Sequence, residues 1–188
     1  MRKLLTLFSI VFFLAVASVP KAFSQVELFG GYSHLGLHGT PSNIGSGMNG
    51  LEGSAYVHLL GPWGAEADLI DHYGVSPRLP SNGGTYYVPK LMELYGPRFT
   101  LALPRVHPYV HALFGSVHGV AIVPSGTGTA KVSESAFGMG LGGGVNARIT
   151  RHLWVRLVQL DYIRAQFSHN AQNETRISAG LVFRFGNW

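Results

Sequence analysis

Cysteine is absent from the 188 residues, and charged residues make up only 12% of them. Without cysteine the chain has no disulfide framework and no thiolate metal or redox site. The low charge is combined with 46% hydrophobic residues, a balance that excludes an intrinsically disordered chain. The sequence therefore predicts a folded protein with unusually few charges for its length.

The excess of basic residues is small once its position is considered. The formal charge of +5 at first suggests a nucleic-acid-binding protein. Three of the basic residues, Arg2, Lys3 and Lys21, lie in an N-terminal segment that we expect to be removed, and their loss lowers the formal charge to +2. We therefore predict no nucleic-acid partner.

The first 24 residues have the three parts of an export signal. Two basic residues precede an apolar stretch over 4–19, and Ala22 and Ser24 are the small residues that a signal peptidase prefers before its cut. A transmembrane anchor is the alternative, but this stretch is shorter than the roughly 20 residues that a spanning helix needs. The lack of cysteine excludes a lipoprotein anchor. We predict a signal peptide over 1–24 and one domain over 25–188.

Beyond the leader, apolar residues recur at every second position, which is the period of β-strands with two different faces. Eight strands are predicted: Val26 to Leu35, Gly50 to Leu59, Trp63 to Tyr73, Tyr87 to Leu101, His107 to His118, Ser135 to Ile149, Leu153 to Arg164, and Arg176 to Phe185. Tight turns alternate with four long connections: Gly36 to Asn49, Gly74 to Tyr86, Gly119 to Glu134, and Ala165 to Thr175. This rhythm predicts an all-β fold, an eight-stranded antiparallel up-and-down β-barrel.

The composition of the two strand faces indicates a transmembrane barrel. Over 135–149 one face carries Phe137, Leu141 and Val145, whereas the other carries mainly glycine with Asn146. An apolar outer face and a small or charged inner face are typical of a membrane barrel. A soluble lipocalin-like barrel would need the reverse arrangement, with bulky apolar residues inside.

Charged side chains on the inner faces are nearly balanced in sign, so we expect them to pair in the lumen. The predicted polar network consists of Glu52, Glu66, Asp68, Arg98, Arg148, Asp161, Arg176 and Arg184. One strand breaks the alternation, because Arg156 has the opposite parity to Gln159 and Asp161. Either a β-bulge intervenes, or Arg156 faces outward near the short-turn end and reaches the membrane interface.

No catalytic, cofactor-binding or metal-binding residues are predicted. His107 and His111 share a strand face, but at about 3.3 Å per residue they lie roughly 13 Å apart, too far to hold one ion. The Ser-His pairs at 33–34 and 168–169 are adjacent in the chain and point to opposite faces of an extended strand. No carboxylate is indicated to orient either histidine for nucleophilic catalysis.

The mature chain resembles the outer-membrane β-barrel domain family, the small eight-stranded OmpA-like or opacity-like barrels of Gram-negative envelopes. The resemblance is carried by VELFGGYSHL, YGPRF, VHPYVHALFG, FGMGLGGGVNARITRHLWVRLVQLDY and RISAGLVFRF. It implies a place in the cell outer membrane, contact with outer-membrane lipid, and biogenesis through periplasmic chaperones and the barrel-assembly machinery. It also implies that a C-terminal aromatic residue, Phe185 or Trp188, is the assembly signal.

Several functions are compatible with such a barrel. The first is a non-enzymatic structural scaffold whose long external loops serve envelope integrity or surface interaction. The second is a narrow porin-like channel for ions or small solutes, although side chains about fill the interior of an eight-stranded barrel. The third is a lipid-modifying outer-membrane enzyme, and the fourth a secreted lipocalin-like binder. No feature of the sequence identifies an extracellular ligand.

Overall fold

A computed structural model describes residues 25–38, 47–73, 88–125, 128–167 and 171–186. The predicted signal peptide and Trp188 lie outside the described residues, as do the first residue of the predicted fourth strand, Tyr87, and most of two predicted long loops. Within these ranges no helix is long and apolar enough to span a membrane.

Eight antiparallel strands close into one barrel, each paired with its neighbours in chain order and the last with the first. They are β1 (Gln25–Leu37), β2 (Gly47–Leu60), β3 (Trp63–Tyr73), β4 (Val88–Thr100), β5 (Val106–Ser125), β6 (Gly128–Arg148), β7 (Leu153–Gln166) and β8 (Ala171–Gly186). The predicted fold class and strand order are confirmed. Gly61 has a φ of 58° in the turn between β2 and β3, a left-handed conformation that glycine adopts without steric cost.

The main departure from the predicted strands is the hairpin of β5 and β6. The predicted loop over 119–134 is mostly paired strand, because the ladder continues to Ser125 opposite Gly128. Its glycines, its proline and its small polar residues favour a loop, whereas Val120, Ile122 and Val123 have high β-propensity. The observed pairing follows the second preference. Pairing with β4 begins only at Val120, and pairing with β7 ends at Phe137. Among the residues that the structure describes, the hairpin therefore extends past β4 and β7 at the long-loop end.

Large apolar side chains lie on the outer face of every strand. Large hydrophobic side chains that are exposed include Leu28, Tyr32, Leu51, Leu69, Tyr95, Val110, Phe114, Phe137, Leu141, Leu160, Tyr162, Ile177, Leu181 and Phe183. They alternate with buried residues, as the pattern of β8 illustrates. This is the arrangement that the sequence predicts for a barrel surrounded by lipid.

The inside of the barrel is divided into two layers. At the long-loop end, buried apolar side chains form one cluster, including Leu35, Met48, Met92, Leu113 and Phe167. Towards the short turns, the buried side chains are mostly charged or polar. The interior is thus less uniformly polar than the sequence suggests, because it also contains an apolar core at the long-loop end.

A β-bulge in β7 resolves the parity of Arg156. The register with β8 shifts between Arg156 and Gln159, and the register with β6 shifts between Val145 and Asn146. Arg156 and Gln159 are both buried, at 1% and 0% exposure. Of the two predicted alternatives, the bulge is correct and the outward-facing arginine is wrong.

Candidate functional site

The charged layer of the lumen is built around an imidazole held between two carboxylates. His111 on β5 lies 2.7 Å from Glu66 through Nδ1 and 2.6 Å from Asp161 through Nε2. Both contacts are hydrogen bonds only when both ring nitrogens carry protons, since an ionised carboxylate can only accept. The histidine therefore joins β3 to β7 across the interior.

Four buried arginines surround this centre. Arg98 contacts Glu27 at 3.1 Å and Glu66 at 3.3 Å. Arg176 contacts Asp161 at 2.6 Å and Asp68 at 3.0 Å. Each of these two guanidinium groups is shared between carboxylates, so the ion pairs form a connected network rather than isolated pairs.

The other two arginines also lie against aromatic rings. Arg156 is 3.7 Å from Glu52 and 3.6 Å from Glu66, with its guanidinium carbon 3.9 Å from the centre of the Phe29 ring. Arg184 is 2.5 Å from Glu27, and its guanidinium lies over the Trp154 ring at 3.6 Å. Ring faces carry negative charge density and attract cations, which helps offset the loss of water around these arginines.

Neutral polar groups complete the network. Gln159 donates to Asp161 at 2.8 Å and to Glu52 at 3.2 Å, and it accepts from the Tyr109 hydroxyl at 2.6 Å. It also accepts a hydrogen bond from Arg156. The Gln159 amide thus hydrogen-bonds to a guanidinium group, two carboxylates and a phenol. Buried charged groups need such hydrogen-bond partners to offset the loss of water.

The network depends on glycine for space at one position. Gly142 on β6 lies opposite Asp161 in the β6–β7 ladder. A Cβ atom at Gly142 would overlap the Asp161 carboxylate and the Leu160 backbone oxygen. By contrast, a Cβ at Gly140 would meet neighbouring side chains only at 3.8 Å or more, an ordinary contact distance.

The structure places seven of the eight residues of the predicted network inside the barrel, all buried: Glu52, Glu66, Asp68, Arg98, Asp161, Arg176 and Arg184. Arg148 is not among them, because it is exposed where β6 ends at the short turns. Its inward parity places it beyond the rim, where the interior opens to the outside. The prediction for Arg148 is therefore wrong.

The sequence alone did not place Glu27, Arg156 or Gln159 in the network, and it raised His111 only as a candidate metal ligand. Glu27 has inward parity on β1, and it lies directly opposite Arg184 once β1 pairs with β8. That pairing joins the two ends of the domain, so the local pattern gives no signal for it. The bulge conceals Arg156 in the same way.

The histidines and serines that were candidates for metal binding or catalysis lie at separate places in the barrel. His107 packs its ring on Trp154 at 4.5 Å, and His118 contacts Ser135 at 2.7 Å. The Ser33 side chain is fully buried, whereas the neighbouring histidine contacts an asparagine on the exposed side. The pair at 168–169 lies outside the described residues. Among the residues that the structure describes, no group of three or more histidine or acidic side chains is arranged to hold a metal ion.

Known structures share this architecture. Ail, the attachment invasion locus protein of Yersinia pestis, superimposes with a TM-score of 0.58 over 86% of this chain and 99% of its own, at 16% sequence identity. The protein has the fold of a small eight-stranded outer-membrane β-barrel. Neisserial surface protein A superimposes with a TM-score of 0.55 over 86% of this chain and 96% of its own, also at 16% identity.

These likenesses concern the fold, since both identities are low. No family model matches the chain, and no curated protein matches its sequence. What the chain shares with these outer-membrane proteins is the number of strands and the closure of the barrel.

Proposed function

We propose that the protein is a non-enzymatic outer-membrane barrel, a structural scaffold that carries a projecting hairpin and long loops at the cell surface. The observation that carries this proposal is the combination of an apolar outer face with an interior occupied by its own ion pairs. The first feature supports residence in lipid, and the second supports a scaffold rather than a pore.

The height of the apolar outer face supports a membrane position. Trp63 and Tyr73 are the two ends of β3, and both are exposed on the outside. Ten residues at about 3.3 Å each, tilted by roughly 40°, separate them by about 25 Å along the barrel axis. This is the height of the apolar band in outer-membrane barrels, where aromatic residues lie at both interfaces.

The occupied interior supports a scaffold. Arg98, Arg156, Arg176 and Arg184 are each 0–1% exposed, and their carboxylate partners hold them across the lumen. Above them, buried apolar side chains form a cluster at the long-loop end. We expect both layers to obstruct the passage of ions. A narrow porin-like channel is therefore the second candidate.

Two measurements on the intact protein test the proposal. We expect it to sediment with outer membranes in a density gradient and to require detergent for dispersion. Recovery as a soluble monomer from periplasm or culture supernatant would contradict the membrane position and favour a lipocalin-like binder. In planar bilayers we expect brief small openings at most, and a large persistent conductance that is lost on unfolding would favour the channel.

The same proposal includes partners during biogenesis. Phe185 lies near the end of β8 and is 54% exposed on the outer face, where periplasmic chaperones and the barrel-assembly machinery could contact it. Trp188 is the alternative signal and lies outside the described residues. We expect Phe185→Ala to lower the amount of folded barrel in the outer membrane, whereas Phe183→Ala, on the same face, serves as the control for a general loss of apolar contact.

The hairpin of β5 and β6 is the proposed surface element. In the part of the chain that the structure describes, its own ladder continues past the last pairs that β5 makes with β4 and that β6 makes with β7. Loops and hairpins on a rigid barrel commonly carry interaction surfaces. Deleting residues 121–132 should leave the barrel folded while abolishing any surface binding of the parent protein.

A further inference from the structure

A cavity of about 600 Å³ opens at the short-turn end of the barrel. Its lining includes two arginines, Arg148 and Arg151, together with the imidazoles of His58 and His107 and the side chains of Leu103 and Trp154. None of the described residues that line it is acidic. The volume lies in the range of small-molecule binding sites, and the charge of the wall suits an anion.

A second cavity, of about 480 Å³, shares Arg148 and Pro104 with the first. Its other lining residues are Arg105 and Ile149. The backbone N–H of Arg148 donates to the backbone oxygen of Arg105 at 2.9 Å, which brings the two arginines together where the β4–β5 turn meets the end of β6. Guanidinium groups bind phosphates and carboxylates through two parallel hydrogen bonds.

The acidic residues of the lumen do not neutralise this rim. Glu27, the network carboxylate on β1, is buried and already contacts Arg98 and Arg184. The buried indole N–H of Trp154, in the cavity wall, has no acceptor in the part of the chain that the structure describes. The described lining of the first cavity thus carries two arginines and an indole donor but no carboxylate.

We propose that this basic mouth binds a compact oxyanion, a phosphate or carboxylate group, with Arg148 as its central contact. Arg151 and His107 would approach it from the first cavity, and Arg105 from the second. Two sources carry this chemistry: the headgroup of an anionic phospholipid at the membrane surface, or a soluble phosphate or carboxylate compound. Only the lipid source depends on the membrane position proposed above.

Titration by NMR in dodecyl maltoside micelles distinguishes the two sources, because this detergent contains no phosphate. The signals to follow are the Trp154 indole and the backbone amides of 102, 103, 105–107 and 148–152. Inorganic phosphate and succinate are the soluble probes. Dihexanoyl phosphatidylglycerol is the lipid probe, with dihexanoylglycerol as its control without phosphate. We expect saturable shifts confined to these signals with at least one anionic probe and none with the control.

Variants tie the binding to the proposed contact. Arg148→Gln should weaken the affinity about tenfold or more, since it removes a charge-assisted contact, and Arg105→Gln/Arg148→Gln should weaken it further. Arg164→Gln removes one exposed positive charge from β7 near the long loops and should leave the affinity unchanged. Far-ultraviolet circular dichroism checks that each variant is folded.

Each outcome has a defined meaning. Saturation by the phospholipid alone identifies a headgroup site, and saturation by phosphate or succinate identifies a soluble ligand. The proposal is overturned if no probe gives saturable shifts, or if folded Arg148→Gln binds as tightly as Arg164→Gln. Neither result would alter the fractionation or conductance expected of the scaffold, so the two proposals fail independently.

Discussion

Replacement of Glu66 by glutamine isolates the contribution of one buried charge. The carboxylate lies 2.7 Å from His111, 3.3 Å from Arg98 and 3.6 Å from Arg156, and it is fully buried. Glutamine has nearly the same volume, so the variant leaves no cavity and removes only the negative charge. Removing one partner from a buried ion pair costs about 3–5 kcal/mol, because the remaining charge is left uncompensated in a low dielectric.

The free energy of unfolding is measured by urea titration in detergent micelles, with tryptophan fluorescence as the signal. We expect Glu66→Gln to lower the urea midpoint without changing the slope, since the surface exposed on unfolding is the same. Asp71→Asn is the matched control, because Asp71 is an acidic residue of the same strand that is exposed. Its effect should be within about 0.5 kcal/mol.

A double-mutant cycle with Arg98→Met separates the pair from its surroundings. If Glu66 and Arg98 stabilise each other, the double variant should be more stable than the sum of the two single losses predicts. The reasoning is refuted if Glu66→Gln is as stable as Asp71→Asn, or if the two substitutions in the cycle are additive. Either result would mean that water or rearrangement compensates the lumenal charges.

Three further results are expected. Gly142→Leu should overpack the lumen and cost about 1–3 kcal/mol of unfolding free energy, whereas Leu141→Phe, on the lipid face, should be nearly neutral; the reverse order in the same urea assay would invert the assignment of faces. In ¹⁵N spectra at neutral pH, both ring nitrogens of His111 should carry protons, and a single neutral tautomer would contradict the double contact. His111→Gln should remain closed in planar bilayers, since the four arginines still occupy the lumen, and a steady conductance would show that the imidazole alone closes it.

The sequence by itself determined the architecture of this protein. Two-residue alternation is a local property of a strand, so it identifies the outer and inner faces without knowledge of strand partners. The two faces of β6 can be recognised in this way: one carries Gly138, Gly140 and Gly142, and the other carries Phe137 and further apolar residues. The order of short and long connections then leaves an up-and-down meander as the simplest closed arrangement.

Only the tertiary structure decided which charges meet. Glu27 and Arg184 become neighbours through the pairing of the first strand with the last, a contact between residues far apart in the chain. The bulge in β7 reverses the parity of Arg156 and brings it into the lumen. Strict alternation assumes that a strand has no bulge, so it assigns Arg156 to the wrong face. Position along the strand matters equally, since Arg148 has inward parity and still lies outside the network.

The length of the β5–β6 hairpin has the same physical origin. Residues 119–134 combine glycine, proline and small polar side chains, which favour a loop, with Val120, Ile122 and Val123, which favour a strand. Residues 119–125 and 128–134 form strands, because their backbones pair directly across the hairpin. Periodicity is encoded in neighbouring residues, whereas register, closure and strand extension depend on pairing energies between distant segments, which no local pattern contains.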